Sequence, residues 1–402
     1  MNERTESTLP DRTDVAVVGG GVMGTAIAFF LAKESERDVT LLERDHLAAG
    51  STGDSSAILR HHYGEEVIYT ETAWWSHRFF RNFENETGAK LAYDPSPLVR
   101  FAKEGTPGGE YARAGYEVLA ERDIPVTEYV GQELPERYPM YEIAEEFDFA
   151  ISDDEAAYAD GTDATMGFAR GAREHGAHVE TGVTVESIDV EDDSVVALET
   201  SAGRLPCEAV VVAAGPWTPK LAESVGVEIP ITTTREQVVI LEPSDAYLEK
   251  HPSRTPTTGL PGGEWYVRPD GQDGVLVATH RYTEEIDPDR YDDRPDEETI
   301  LELADALAEN VPGLRDAGLM GQYCGVYSVT PDHDFVIDEA GPDGCYLTCG
   351  FSGHGFKHAP AVGKMTTDLI MTGESDLVDL EYFSLDRFEN DPSGHGRPAD
   401  NI

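Results

Sequence analysis

Residues Val15–Gly24 read VAVVGGGVMG, and the next apolar run, Val39–Leu42, closes on an acid, Glu43. These types at this spacing can hold a diphosphate. Gly19 permits the tight turn off a strand, Gly21 lets backbone approach a pyrophosphate, and Gly24 lets the following helix pack close to the sheet. The helix amino terminus offers free N–H groups and partial positive charge to phosphates. Glu43 stands where a carboxylate accepts hydrogen bonds from ribose hydroxyls and repels a 2′-phosphate. Strand, glycines, helix, strand and acid within about thirty residues point to a bound dinucleotide.

Three other clusters carry chemistry. Gly50–Gly64, GSTGDSSAILRHHYG, follows the acid-bearing strand with small turn-forming residues and then groups Arg60, His61, His62 and Tyr63. His61 and His62 lack metal-ligand spacing, so no metal site is expected. The run EAVVVAAGPWT, ending at Thr218, reads as a buried strand closing on Gly215, a second backbone approach to the cofactor. In GFSGHGFKHAPAVGK, Gly350–Lys364, the strand Cys345–Cys349 enters a glycine-rich turn and then a helix near Phe356. Backbone N–H groups at such a turn can stabilise developing negative charge, and Lys357 adds a formal positive charge there.

The elements that must position these groups lie in alternating segments. Helices are expected over Thr25–Lys33, around the aromatics Trp74, Trp75, Phe79, Phe80 and Phe83, over Ala164–His175 and over Glu297–Asn310. At helical spacing the aromatics read as core. Residues 92–150 and 229–330 mix short alternating strands with Pro-rich turns. The fold class expected is α/β: a discontinuous Rossmann-like dinucleotide domain (12–91, 151–228 and 331–388) and an α+β substrate domain (92–150 and 229–330) on a mainly antiparallel sheet. The tails, 1–11 and 389–402, are expected to be disordered.

Bulk properties exclude several partners. The 402 residues carry 78 acids against 30 Lys and Arg, a net charge of −48, and Lys is outnumbered by Arg seven to twenty-three. A surface so acidic repels phosphate, which argues against nucleic acid and anionic membranes. The acids are spread along the chain, as in a protein adapted to multimolar salt, where screening removes self-repulsion. No apolar run approaches the roughly eighteen residues of a membrane helix. Four scattered cysteines suit a reduced, cytoplasmic protein.

In the order fingerprint, GS-x-x-G…R-x-x-YG, AAGPWT, YSVTPD and GFSGHGFK, the chain resembles the amine-oxidising FAD flavoproteins of the D-amino-acid oxidase superfamily. It is most similar to the branch of sarcosine oxidase and sarcosine or dimethylglycine dehydrogenase. The resemblance implies extended FAD, a substrate carboxylate held over the flavin, and hydride transfer to flavin N5 giving an imine that hydrolyses. It assigns Arg60 and Lys357 to the carboxylate, and Tyr327, Tyr266 and His280 to the substrate cavity. It assigns FAD contacts to Gly19, Gly21, Val22, Met23, Gly24, Glu43, Arg44, Ser51, Val183, Ala214, Gly215, Trp217, Gly353, His354, Gly355, Phe356 and Lys357.

Two departures matter. The position at which monomeric sarcosine oxidases attach FAD through cysteine holds Gly325, with Cys324 one residue earlier, on the opposite face of a strand. Non-covalent FAD is therefore expected. The stretch in which those oxidases carry an oxygen-activating lysine reads GVLVATH, Gly274–His280, without lysine. This favours a dehydrogenase using another acceptor over an oxidase using oxygen. The expected substrate is a small N-substituted amino acid such as sarcosine, dimethylglycine or proline. The alternatives are a D-amino-acid or glycine oxidase or dehydrogenase, and a flavin-bearing subunit or non-catalytic assembly flavoprotein of a larger complex.

Overall fold

The computed structural model describes residues 9–251, 255–260, 265–271, 273–282 and 284–394. Two sheets organise these residues. The first has six strands in the order Val336–Glu339, Cys345–Cys349, Ala209–Val212, Val15–Val18, Val39–Glu43, His178–Thr181. All neighbours are parallel except the edge strand Val336–Glu339. Its central strands are continuous apolar runs because both faces are covered. Helices Val22–Glu34, Gly161–Glu174 and Ala359–Thr372 cover one face, through an aromatic core that includes Phe29, Phe79, Phe83 and Phe168. An antiparallel meander, Val185–Glu191, Ser194–Thr200 and Gly203–Pro206, lies over the other.

The second sheet has eight strands in the order Gly318–Val329, Thr232–Glu242, Gly274–Thr279, Trp265–Asp270, Thr257–Gly259, Leu98–Ala102, Phe149–Asp153, Val126–Val130. Only the pairing of Thr257–Gly259 with Leu98–Ala102 is parallel. Strand alternation divides its residues between two faces. Val239, Leu241, Val267, Val275, Val277 and Val99 pack against helix Glu297–Asn310 and its neighbours. Their sequence neighbours Glu236, Val238, Tyr266 and Ala278 line a cavity on the opposite face. Strand Phe149–Asp153 belongs to this sheet and straddles the 150/151 boundary drawn from sequence.

The fingerprint folds as its glycines require. A Cβ on Gly24 would lie 1.9 Å from the Gly19 carbonyl oxygen, so helix Val22–Glu34 meets the sheet only with glycine there. Gly19 has φ of +115°, and a Cβ on it would lie 2.4 Å from the Ala213 carbonyl oxygen. Of the tails drawn from sequence, residues 9–11 and 389–394 are among those described, and helix Arg387–Asn390 runs into the second. Leu9 and Phe388 pack onto the meander-side core, and Arg387 pairs with buried Asp332 at 2.8 Å. The remaining tail residues, 1–8 and 395–402, lie outside the described set. Among the described residues no helix is long and apolar enough to cross a membrane.

Candidate functional site

A cavity of about 350 Å³ runs from the carboxyl ends of the parallel strands to the inner face of the larger sheet. One end is a dinucleotide cradle. Helix Val22–Glu34 begins at Gly21 with no acid in its first turn; its Val22 N–H donates to Thr52 Oγ1 at 3.1 Å, and the N–H groups that follow in its first turn are those a phosphate could use. Glu43 accepts from the Gly20 N–H through Oε2 at 2.6 Å and from the Asp45 N–H through Oε1 at 2.8 Å, which fixes its carboxylate at the strand end. The Arg44 guanidinium lies 3.9 Å over the Trp217 ring, and Trp217 Nε1 donates to Asp289 at 2.8 Å. The donor set, the acid-free helix end and the strand-end carboxylate fit an extended dinucleotide.

Most of the residues expected to contact the cofactor line this cavity: Gly19, Gly21, Val22, Met23, Glu43, Arg44, Ser51, Val183, Ala214, Gly215, Trp217, Gly353, Gly355 and Phe356. Gly24 does not; its role is the close packing described above. His354 does not line it either. Its Nε2 is 2.9 Å from the His333 carbonyl oxygen, and its ring packs against Phe335 and Tyr69. Lys357 lines a second cavity instead.

That second cavity, about 100 Å³, adjoins the first through shared walls at Ser56, Tyr266, Tyr327, Gly353 and Phe356. Gly353, at φ +77°, lets the Tyr327 ring come close; a Cβ there would lie 2.4 Å from it. Arg60, Lys357, Tyr327, Tyr266 and His280 all line this chamber. They arrive from the segment after strand Ile58–Leu59, from the turn before helix Ala359–Thr372, and from the larger sheet. Arg60 is not in a surface pair with Glu65 or Glu66. It is buried, its Nη1 donates to the His62 carbonyl at 2.7 Å, and its guanidinium stacks 4.1 Å over Tyr63.

The neighbouring histidines are spent on structure. The His61 N–H and Nδ1 engage buried Asp153 at 2.6 and 3.0 Å, and His62 Nε2 meets the Ala112 carbonyl at 3.1 Å. Burial, with Arg60 and Lys357 nearby, pulls His280 down to about 3, so it is neutral at ordinary pH. Burial also raises the Tyr327 phenol well above its ordinary value.

Burial sets Lys357 apart from a solvated lysine. It is buried, its Nζ donates to the His354 carbonyl at 3.1 Å, and no carboxylate among the described residues pairs with it. Desolvation first, and Arg60 second, push it well below 10.5.

Sequence reading missed two groups. Glu236 lines the larger cavity and accepts from Thr279 Oγ1 at 2.7 Å, the Arg281 N–H at 3.0 Å and the Tyr282 N–H at 2.8 Å. It thereby fixes the segment carrying His280, and only the strand register, Glu236 opposite Gly325, reveals that it faces the cavity. Arg100, on strand Leu98–Ala102, lines the second cavity. Its signal was the alternation of Leu98 and Arg100 on one face with Val99 and Phe101 on the other, readable only once the burying face is known.

The model of the DAO family, described as FAD dependent oxidoreductase, matches residues 14–369. The chain is similar to monomeric sarcosine oxidase of Bacillus sp. (strain NS-129), 29% identical over 384 residues that cover 93% of this chain and 96% of that protein. It is 25% identical to human mitochondrial dimethylglycine dehydrogenase, covering 94% of this chain but 45% of that longer protein. Among solved structures, L-proline dehydrogenase from P. horikoshii superposes with a TM-score of 0.84 at 25% identity, covering 95% of this chain and 99% of that one.

Replacing Lys357 with Met tests the charge state directly. A lysine depressed in the fold binds fewer protons than when unfolded, so it costs stability below 10.5, and the cost grows as pH falls toward the folded value. Lys357→Met should raise the Tm at neutral pH, with the gap over wild type closing as pH approaches 10.5. A variant uniformly less stable across that range would contradict the assignment.

Proposed function

The chain belongs to the DAO family of FAD-dependent oxidoreductases, and from that premise we propose that it oxidises the C–N bond of a small N-substituted amino acid in the second cavity. The observation that carries this reading is the pairing of chambers. A dinucleotide cradle opens, past Tyr327 and Gly353, into a pocket whose polar wall is Arg60, Lys357, Tyr266 and His280. FAD, when bound, supplies the acceptor for the hydride.

This chain's residues do the rest. Arg60 offers a fork and Lys357 an amine to the substrate carboxylate, whose charge favours the protonated lysine and which holds the carbon next to nitrogen against the shared wall. Burial of Arg60 and Lys357 strengthens those contacts. Neutral His280 and the protonated phenols of Tyr327 and Tyr266 present hydrogen-bonding groups without adding charge beside a substrate amine. The turn at Gly353–Phe356 borders both chambers and offers backbone N–H groups where negative charge develops.

FAD is held without a covalent bond. Cys324 pairs across the sheet with Gln237, does not line the cavity, and burial pushes its thiol up to about 12, whereas Gly325 lines the cavity. The strand Gly274–Thr279 presents Ala278 to the cavity and no lysine, which favours an acceptor other than oxygen. A redox protein or a partner subunit fills that role. The acid-rich composition suits a cytoplasm of multimolar salt, and the amine-oxidation reading gives the chain a place in amino-acid breakdown.

Three outcomes are expected. Acid precipitation should release FAD into the supernatant; flavin remaining in the pellet would contradict the non-covalent assignment. Added anaerobically, sarcosine, dimethylglycine, L-proline or a related amino acid should bleach the flavin, with slow recovery of colour in air; no bleaching by any amino acid would overturn the activity. Activity should fall on dilution from multimolar salt, and full activity in dilute buffer would remove the salt-adapted reading.

A further inference from the structure

The second cavity holds more positive charge than one carboxylate can balance. Arg60, Arg100 and Lys357 all line it, and no Asp or Glu does, although acids outnumber Lys and Arg by 78 to 30 in the chain. Two of its guanidinium nitrogens are buried without a hydrogen-bond partner among the described residues, Arg60 Nη2 and Arg100 Nε. The Arg100 guanidinium carbon lies 5.1 Å from the centre of the Tyr111 ring. Asp153 is the buried acid whose charge reaches Arg100, but both its oxygens are occupied by His61.

A guanidinium N–H buried without a partner is costly, and such positions persist where a ligand supplies the partner. The two arginines also enter differently. Arg60 comes from the segment after Ile58–Leu59, beside Lys357, whereas Arg100 comes from the eight-stranded sheet together with Leu98, Thr257 and Thr258. A monocarboxylate seated on Arg60 and Lys357 satisfies that side and leaves Arg100 bare.

Building on the reading that the cavity is an amine-oxidation site, we infer that the substrate carries a second carboxylate, received by Arg100. The substrate class is then a dicarboxylic secondary amine: an N-carboxyalkyl amino acid, or an N-alkyl amino acid with an acidic side chain. The second acid supplies a charge-assisted fork to Arg100 and selects against small monocarboxylates such as sarcosine.

Thioether analogues, in which sulfur replaces the reacting amine, test this by binding alone. Calorimetry on the FAD-loaded protein in high salt would compare (methylthio)acetate, with one acid, against thiodiacetate and (methylthio)succinate, with two. At least one dicarboxylate should bind about tenfold or more tightly than the monocarboxylate, with the preference lost in Arg100→Gln and partly kept in Arg100→Lys. Equal affinity for all three in wild type, or a preference that survives Arg100→Gln, would overturn the assignment. Should a dicarboxylate be preferred while no amine bleaches the flavin, the second-acid assignment stands and the amine-oxidation reading falls.

Discussion

Uncompensated positive charge, buried in a small chamber, is the constraint around which the rest of the molecule is arranged. Arg60, Arg100 and Lys357 are drawn from three distant segments into a space that contains no carboxylate. Arg60 and Lys357 are buried there, and protein groups hold them in place. Arg60 is fixed by a carbonyl and an aromatic face, and Lys357 by a carbonyl alone, with burial weakening its hold on its proton. Burial of this kind is unfavourable in the empty protein and favourable once an anion arrives, which is how a site converts folding free energy into ligand selectivity.

The supporting architecture follows from that requirement. Eight strands give a broad sheet with one face packed on helix Glu297–Asn310 and the other free to wall two chambers. Period-two alternation lets a single strand serve both purposes: Val275 and Val277 are core while Ala278 is cavity wall. Glu236 ties the end of that strand to its neighbour through three hydrogen bonds, so His280 is carried by a clamped segment rather than a free loop. The six-stranded sheet contributes the dinucleotide cradle at the carboxyl ends of its strands, where open parallel sheets hold ligands. Gly353 joins the two systems, because only glycine lets that turn lie against Tyr327.

Local chemistry was legible in the sequence where it depends on neighbours in the chain. The fingerprint, Glu43, and the GFSGHGFK turn each concentrate their residues within one short unit, and the helix Glu297–Asn310 was readable to the residue. Arg60 and Lys357 were found because they sit inside such units. Arg100 and Glu236 sit on strands whose cavity-facing side is decided by pairing partners far away in sequence, so nothing local distinguishes them from surface charges. His354 shows the converse. Its motif is local, but the direction of its side chain is set by Tyr69, Phe335 and His333, and it turns away from the cavity. The charge state of Lys357 was also beyond sequence reading, since it depends on desolvation and on Arg60 rather than on residue type.

Proton uptake on carboxylate binding tests the central claim most directly. Calorimetric titration of the FAD-loaded protein near pH 8 with a small carboxylate, repeated in buffers of different ionisation enthalpy, counts the protons that accompany binding. A lysine that burial pushes well below 10.5, and whose protonated form an arriving anion favours, takes up protons on binding in wild type and none in Lys357→Met. Binding with no proton uptake in wild type would mean that Lys357 is already charged in the empty chamber, and the account of a pocket waiting for its counter-charge would be wrong.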